Sequence, residues 1–214
     1  MTIFYNTSDK ILADKNLRLA LSFAAPSIKN ETAAVSSIPP DSWAFNPDVR
    51  DYLDNPSQAK LYLSKVKDVK KDQVVLTATQ SLQGVGQEVV SAWNAQGINA
   101  SLKVESGIPQ NFQALLIAQD IPLDPDQYSL WQSTQTDTNI SKESSPRIDK
   151  DLEEGRKVTD INKRKADYAD FQKVLLDESP ATFLYFPQYN VTYLKKSEDD
   201  LKKVFNIQLT TSNY

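Results

Sequence analysis

The chain has 214 residues, enough for one sizeable domain or two small ones with a buried core. Hydrophobic residues make up 40% and charged residues 24%, with a net charge of -4, a composition typical of a globular protein. The absence of a strongly basic field argues against nucleic-acid binding. No apolar run approaches the roughly 20 residues of a membrane-spanning helix. The N-terminal "MTIFYNTSDK" lacks the basic and apolar regions of a signal peptide.

The sequence contains no cysteine and no histidine. This excludes disulfides, thiol nucleophiles, Cys/His zinc sites and His-based catalytic triads. Any catalysis would depend on carboxylates, lysine, tyrosine or serine. We therefore expect a protein without a cofactor or a metal, and the residue types lower the expectation of an enzyme.

The first part of the chain predicts two capped helices separated by a loop. Asp14 is a candidate N-cap for a helix over residues 15–25, which carries apolar residues at helical spacing. The segment "ETAAVSSIPPDSWAFNPDV" is rich in Pro, Ser and Asp and predicts an ordered surface loop. Asn55 and Pro56 are typical of the N-cap and first position of a second helix.

The middle of the chain predicts a strand–helix–strand unit. "DQVVLTAT" at 72–79 is β-branched and continuous, as in a strand buried on both faces. "GVGQEVVSAWNAQG" predicts a helix that ends at Gly97, and "INASLKVES" alternates as a second strand. A third apolar strand is expected over residues 112–119. This order indicates a right-handed βαβ unit with parallel pairing.

The last part of the chain predicts two helices and two strands. A short helix is expected after Pro146, and Asp160 is the expected N-cap of the longest helix, which Pro180 terminates. "ATFLYFPQYNVTYLKK" predicts a strand, a turn at Pro187 and a second strand. Residues 195–214 form a polar tail that we expect to be less ordered.

The segment "LLIAQDIPLDPDQYSLWQS" combines acids and aromatic residues just past a predicted strand. Its apolar run ends at Asp120, and ligands of open α/β sheets lie outside the carboxyl ends of strands. Turn formation and helix N-capping are the favoured roles of Asp124 and Asp126. The segment lacks the glycine and the distal glutamate of an EF-hand calcium loop.

The order and spacing of several segments resemble the peptide/nickel-type extracellular solute-binding proteins, family 5, which serve ABC importers. The resemblance rests on "LRLALSFA", on "VVLTAT...GVGQEVVSAWNAQGINASLKV", on "ALLIAQDIPLDPDQYSLWQSTQ" and on "RIDKDLEEGRKVTDINKRKADYADFQKVLLDESPATFLYFP". It covers nearly the whole chain. It implies an α/β fold: a type II periplasmic-binding-protein-like lobe with a mixed, mostly parallel sheet flanked by helices.

The same resemblance implies how this domain would work. A full-length member of the family is more than twice as long, so residues 1–214 are expected to form a single C-terminal lobe, with the polar tail returning towards the other lobe. The ligand, a peptide or another small solute, would lie between the two lobes. The parent protein is expected to be an extracytoplasmic lipoprotein that acts as a monomer with an ABC permease as its partner.

The resemblance also implies ligand-binding residues. In peptide-binding members an aspartate in the place of Asp120 receives the α-ammonium group of the ligand. Trp131 either packs in the core beneath a short helix or forms a pocket wall. The complete set of candidate ligand residues is Asp120, Trp131, Gln132, Ser133, Asn139 and Arg147.

Charged residues further along the chain have structural interpretations beside this one. Arg147 and Asp149 are expected to fix a loop, with an anionic ligand group as the alternative partner of Arg147. Asp160 and Arg164 are four residues apart and are expected to pair at the start of a helix.

Two other functions stay open at this point. A sensory or regulatory module could use the same fold, since fold does not determine function. A hydrolase could use a carboxylate pair such as Asp120 and Asp124. Two acids on one proline-stiffened turn are poorly placed to act on opposite faces of a sugar, which disfavours a glycosidase.

Overall fold

A computed structural model of the chain describes residues 1–67, 72–121, 123–187 and 193–205. The strands are β1 (Thr2–Tyr5), β2 (Thr32–Ala33), β3 (Val74–Thr79), β4 (Ala100–Glu105), β5 (Ala114–Ile117), β6 (Ala181–Phe183) and β7 (Tyr185–Phe186). The α-helices are α1 (Lys15–Ala24), α2 (Pro56–Leu63), α3 (Gln83–Ala95), α4 (Tyr128–Trp131), α5 (Pro146–Lys157), α6 (Ile161–Glu178) and α7 (Glu198–Phe205).

The main sheet has five strands in the order β4-β3-β5-β1-β6. β3 pairs in parallel with β4 and β5, whereas β1 is antiparallel to both β5 and β6. Four strands therefore run in one direction around a single reversed strand. This mixed, mostly parallel sheet confirms the expected fold class.

The reversed strand β1 was not predicted from the sequence. All its residues are buried, and it occupies a central position between β5 and β6. A strand of four residues shows too little alternation to be recognised alone. Its stability comes from backbone pairing with segments more than 100 residues away, such as Thr2 with Ile117 and Thr2 with Phe183.

The predicted βαβ unit is confirmed in its elements and its parallel pairing. Gly86 lets α3 approach β4 closely, because a Cβ at this position would lie 2.7 Å from Leu102 Cδ1. Gly97 follows the helix with a φ of 85°, the left-handed conformation that glycine adopts at low cost. Trp93 of α3 donates from Nε1 to the Leu21 carbonyl of α1 at 2.9 Å, which joins the two helices.

The helix boundaries follow the predicted caps closely. The carboxylate of Asp14 accepts from the Asn16 backbone N–H, and α1 ends one residue before the expected position. Asn55 caps α2, with Pro56 as its first residue. Asp160 accepts from two backbone N–H groups at the start of α6, which runs for 18 residues. The local sequence therefore determines where these helices begin.

The C-terminal tail differs from the expectation where it is described. Residues 198–205 form α7, with acidic residues in its first turn and lysines near its end. This distribution complements the helix dipole and favours the helix, so part of the polar tail has regular structure. The strand predicted after Pro187 falls mainly on residues 188–192, and residues 206–214 complete the tail. Both stretches lie outside the described residues.

Within the described part, no helix is long and apolar enough to cross a membrane.

Candidate functional site

An open concavity of about 660 Å³ lies at one edge of the main sheet, just past the carboxyl end of β5. β5 leads directly into its floor, and the pairing of Thr32 in β2 with Phe186 in β7 brings two further segments to it. Ligands of open α/β sheets bind at such an edge. Its lining residues are Thr32, Pro39, Pro40, Asp41, Gln119, Asp120, Ile121, Phe186 and Pro187.

Asp120 is exposed at this concavity, three residues after the end of β5. Its neighbours are mainly apolar groups, including Ile121 and Phe186, and a second carboxylate, Asp41, lies on the opposite loop. Such an arrangement of one polar anchor beside apolar walls is typical of small-ligand sites. Asp120 therefore lies where a ligand entering this edge would meet a negative charge.

The two acids that follow take local roles. Asp124 accepts the Asp126 backbone N–H at 3.1 Å, and Asp126 accepts the Tyr128 backbone N–H at 3.0 Å. The expected turn-forming role is confirmed. Asp126 lies one residue before Gln127, the N-cap of α4, so its carboxylate supports the helix start from outside the cap position.

Both acids are also bound by arginines of the next two helices. Arg164 of α6 makes a bidentate ion pair with Asp124, at 2.7 and 3.0 Å, and lowers the pKa of that carboxyl. Arg156 of α5 pairs with Asp126 at 2.7 Å and lies over the Tyr128 ring. These contacts attach the acidic turn to the helical layer.

The position of Arg164 corrects one expectation. Arg164 does not pair with Asp160, whose carboxylate instead caps the backbone of α6. The guanidinium of Arg164 also donates to the Gly155 carbonyl at 2.9 Å and to the Tyr168 hydroxyl at 3.1 Å. A bidentate carboxylate 40 residues away in sequence is a better partner than the capping aspartate.

Trp131 is fully buried, with 0% of its surface exposed. Its ring stacks on Phe4 with centroids 5.5 Å apart and meets Phe183 edge-on at 6.3 Å. Its Nε1 donates to Gln127 Oε1 at 2.9 Å. These contacts are those of a packed core residue and favour the packing alternative.

Gln132 and Ser133 form internal hydrogen bonds. Gln132 is 3% exposed, and its Oε1 accepts from the Thr134 backbone N–H at 2.8 Å. Ser133 donates from its backbone and its hydroxyl to the two oxygens of Asp149, at 2.8 and 2.5 Å. Asp149 thus fixes this turn, which agrees with the loop-fixing role expected for it.

Asn139 is buried inside the loop that precedes α5. Its amide donates to the Glu143 carbonyl at 2.8 Å, and its Oδ1 accepts from the Ser141 hydroxyl at 3.0 Å and from the Glu143 backbone N–H at 3.2 Å. Both ends of the side chain are therefore engaged in closing the loop. The loop in turn is fastened to the strand end at Thr7, whose backbone N–H donates to the Ser141 carbonyl at 2.8 Å.

Arg147 lies on the exposed side of α5 and makes a bidentate pair with Asp170 of α6, at 2.6 and 3.0 Å. This pair lowers the pKa of Asp170. One turn further along α5, Asp151 is buried, and burial together with the nearby Asp170 charge raises its pKa to about 6. The cluster joins two helices, away from the concavity.

The structure thus separates the predicted ligand residues. Asp120 lines the concavity, whereas Trp131, Gln132, Ser133, Asn139 and Arg147 lie in the network beneath and beside it. The contribution of these residues to ligand binding stays a prediction. Among the described residues, no group of three or more acidic side chains is arranged to hold a metal ion.

The concavity also contains residues that the sequence did not single out as ligand contacts. Pro39, Pro40 and Asp41 come from the segment predicted as a surface loop, and Phe186 comes from a predicted strand. The double proline was the available signal, since it stiffens a loop. Nothing local indicates that this loop meets the end of β5, because the pairing of β2 with β7 brings them together.

Comparisons with known proteins agree with this architecture. The chain is 23% identical over 225 residues to the oligopeptide-binding protein AppA of Bacillus subtilis (strain 168), covering 86% of this chain and 41% of the relative. It is 24% identical over 219 residues to the dipeptide-binding protein of Escherichia coli (strain K12), covering 84% and 39%. No family model matches the chain.

A solved structure shows the same fold. The structure of the Bacillus subtilis oligopeptide-binding protein AppA in complex with a nonapeptide matches with a TM-score of 0.78 and 21% identity, over 87% of this chain and 44% of that one. The fold is therefore that of a type II periplasmic-binding-protein-like lobe. The relatives and structural neighbours are solute-binding proteins of the kind that the sequence resembles, and this chain spans about two fifths of the curated relatives' length.

Proposed function

We propose that this domain is a solute-binding lobe of an ABC importer's substrate-binding protein and that its ligand is an oligopeptide. The observation that carries the proposal is the placement of Asp120 in the concavity at the carboxyl edge of the sheet. The relatives support a peptide as the ligand, because those described above are named as peptide-binding proteins.

The proposed chemistry is recognition without catalysis. The Asp120 carboxylate accepts charge-assisted hydrogen bonds from the ligand's α-ammonium group, which fixes the direction of the peptide. Ile121 and Phe186 provide apolar contact for its first side chains. Asp124 is poorly suited to act as a partner acid in hydrolysis, because Arg164 holds it ionised with a lowered pKa.

This lobe supplies half of the proposed site. The concavity is open, so a ligand bound here keeps one face exposed to solvent. A second lobe covers that face in the proposed whole protein, and hinge closure around the ligand presents a surface to the permease. The whole protein acts outside the cytoplasm as a monomeric, anchored lipoprotein. The lobe alone is expected to bind weakly because half of the contacts are missing.

The test is a titration of the isotopically labelled chain with the peptide Ala-Ala-Ala, followed by amide chemical shifts. We expect the largest changes at Asp41, Gln119, Asp120 and Phe186. N-acetylated Ala-Ala-Ala is the matched control, and it should cause much smaller changes because it lacks the ammonium group. Changes confined to residues 131–147, or none with either peptide at high concentration, would contradict the proposal.

A further inference from the structure

The concavity combines apolar lining residues with charges of one sign only. Its two charged lining residues, Asp41 and Asp120, are both acidic and come from different segments of the chain. None of the described lining residues is basic.

These two carboxylates differ from the acids nearby. Asp124 and Asp126 are neutralised by Arg164 and Arg156. Within the part of the chain that the structure describes, no basic side chain pairs with Asp41 or Asp120. Two unneutralised charges of one sign in a concave surface add to a negative potential that attracts cations.

The apolar residues that line the concavity with the two acids suit a particular kind of side chain. Pro39, Pro40 and Phe186 give a stiff apolar surface beside Asp41. Lysine and arginine place their aliphatic stems along apolar groups while the charged end reaches a carboxylate. A cationic group can also lie over the phenylalanine ring. A neutral apolar side chain would use the same walls but would leave Asp41 without a partner.

We propose that the site selects peptides with a basic side chain close to the N-terminus, with Asp120 facing the ammonium group and Asp41 facing the basic side chain. This inference rests on the proposed peptide-binding function and adds the substrate class. Asp41 would then determine selectivity, because only a peptide with two positive charges neutralises both carboxylates.

The test compares the affinities of the intact chain for Ala-Lys-Ala, Ala-Ala-Ala and Ala-Glu-Ala. We expect Ala-Lys-Ala to bind at least about fivefold more tightly than Ala-Ala-Ala, Ala-Glu-Ala to bind most weakly, and the difference to shrink at high salt. Asp41→Asn should remove the preference for lysine, so that Ala-Lys-Ala and Ala-Ala-Ala bind with nearly equal affinities. Asp137→Asn, a change of the same charge at an exposed turn outside the concavity, should keep the preference.

The outcomes separate this inference from the function on which it rests. Equal affinities for the three peptides, or a lysine preference that survives Asp41→Asn, would overturn the role of Asp41 and leave peptide binding intact. A preference for Ala-Ala-Ala over Ala-Lys-Ala would show that the walls select apolar side chains, which also overturns it. Failure of all three peptides to bind would overturn both proposals.

Discussion

Acidic residues at the rim of the concavity and acidic residues in the network beneath it have different surroundings. At the rim, Asp120 and Asp41 face open space beside prolines and a phenylalanine. A few residues further along, Asp124 and Asp126 are bound by arginines from α6 and α5. The position of an acid in one short segment therefore says little about its role. An arginine from a distant helix binds each of Asp124 and Asp126, whereas Asp120 and Asp41 stay at the open rim, where the proposed function assigns them to recognition.

Among the variants that test this contrast, Trp131→Ala is expected to have the largest effect on stability. Trp131→Ala should lower the free energy of unfolding by about 3–5 kcal/mol, because it removes the largest ring from a cluster with Phe4 and Phe183. Denaturant unfolding measures this loss. Trp43→Ala, which removes a partly exposed ring, is the control and should cost less. Near-wild-type stability combined with lost peptide binding would instead place the Trp131 ring at the ligand.

Asp151 provides a smaller, pH-dependent test of the network between α5 and α6. Its pKa is about 6 in the folded protein against an ordinary value of 3.8, so the folded state binds a proton that the unfolded state releases between these values. The stabilisation from the protonated form is therefore complete below pH 3.8 and is lost as the pH rises through 6.

Asp151→Asn imitates the protonated acid and removes the buried charge. We expect it to raise the free energy of unfolding by about 1–2 kcal/mol at pH 8, with a much smaller gain at pH 4. Denaturant titrations at the two pH values measure the difference. Asp137→Asn, at an exposed turn away from this pair of helices, is the control and should change the stability little at either pH. A gain of equal size at both pH values would show that the charge of Asp151 is not the cause.

Features encoded by neighbouring residues could be predicted from the sequence. The caps at Asp14, Asn55 and Asp160 and the end of α3 at Gly97 depend on side chains within a few residues of the backbone groups that they satisfy. The parallel βαβ unit followed from apolar runs of the right length. The turn roles of the two acids after Asp120 were equally local.

Features that depend on distant pairing could not be predicted in this way. β1 is a strand because it fits between β5 and β6, and Arg164 chooses Asp124 over Asp160 because the helices bring it there. The burial of Trp131 and the presence of Asp41 and Asp120 in one concavity have the same origin. The sequence could identify Asp120 as a candidate, but not the loop that completes its site.

The most direct test of the central claim is a paired comparison of Asp120→Asn and Asp124→Asn, each measured for stability and for affinity towards Ala-Ala-Ala. The structure predicts that Asp120→Asn changes the free energy of unfolding by less than about 0.5 kcal/mol and weakens binding at least about tenfold. Asp124→Asn should cost up to about 1 kcal/mol of stability, because it breaks the pair with Arg164, and should leave affinity nearly unchanged. The reverse pattern, or equal effects of both variants on binding, would contradict the division between an open recognition rim and a structural network.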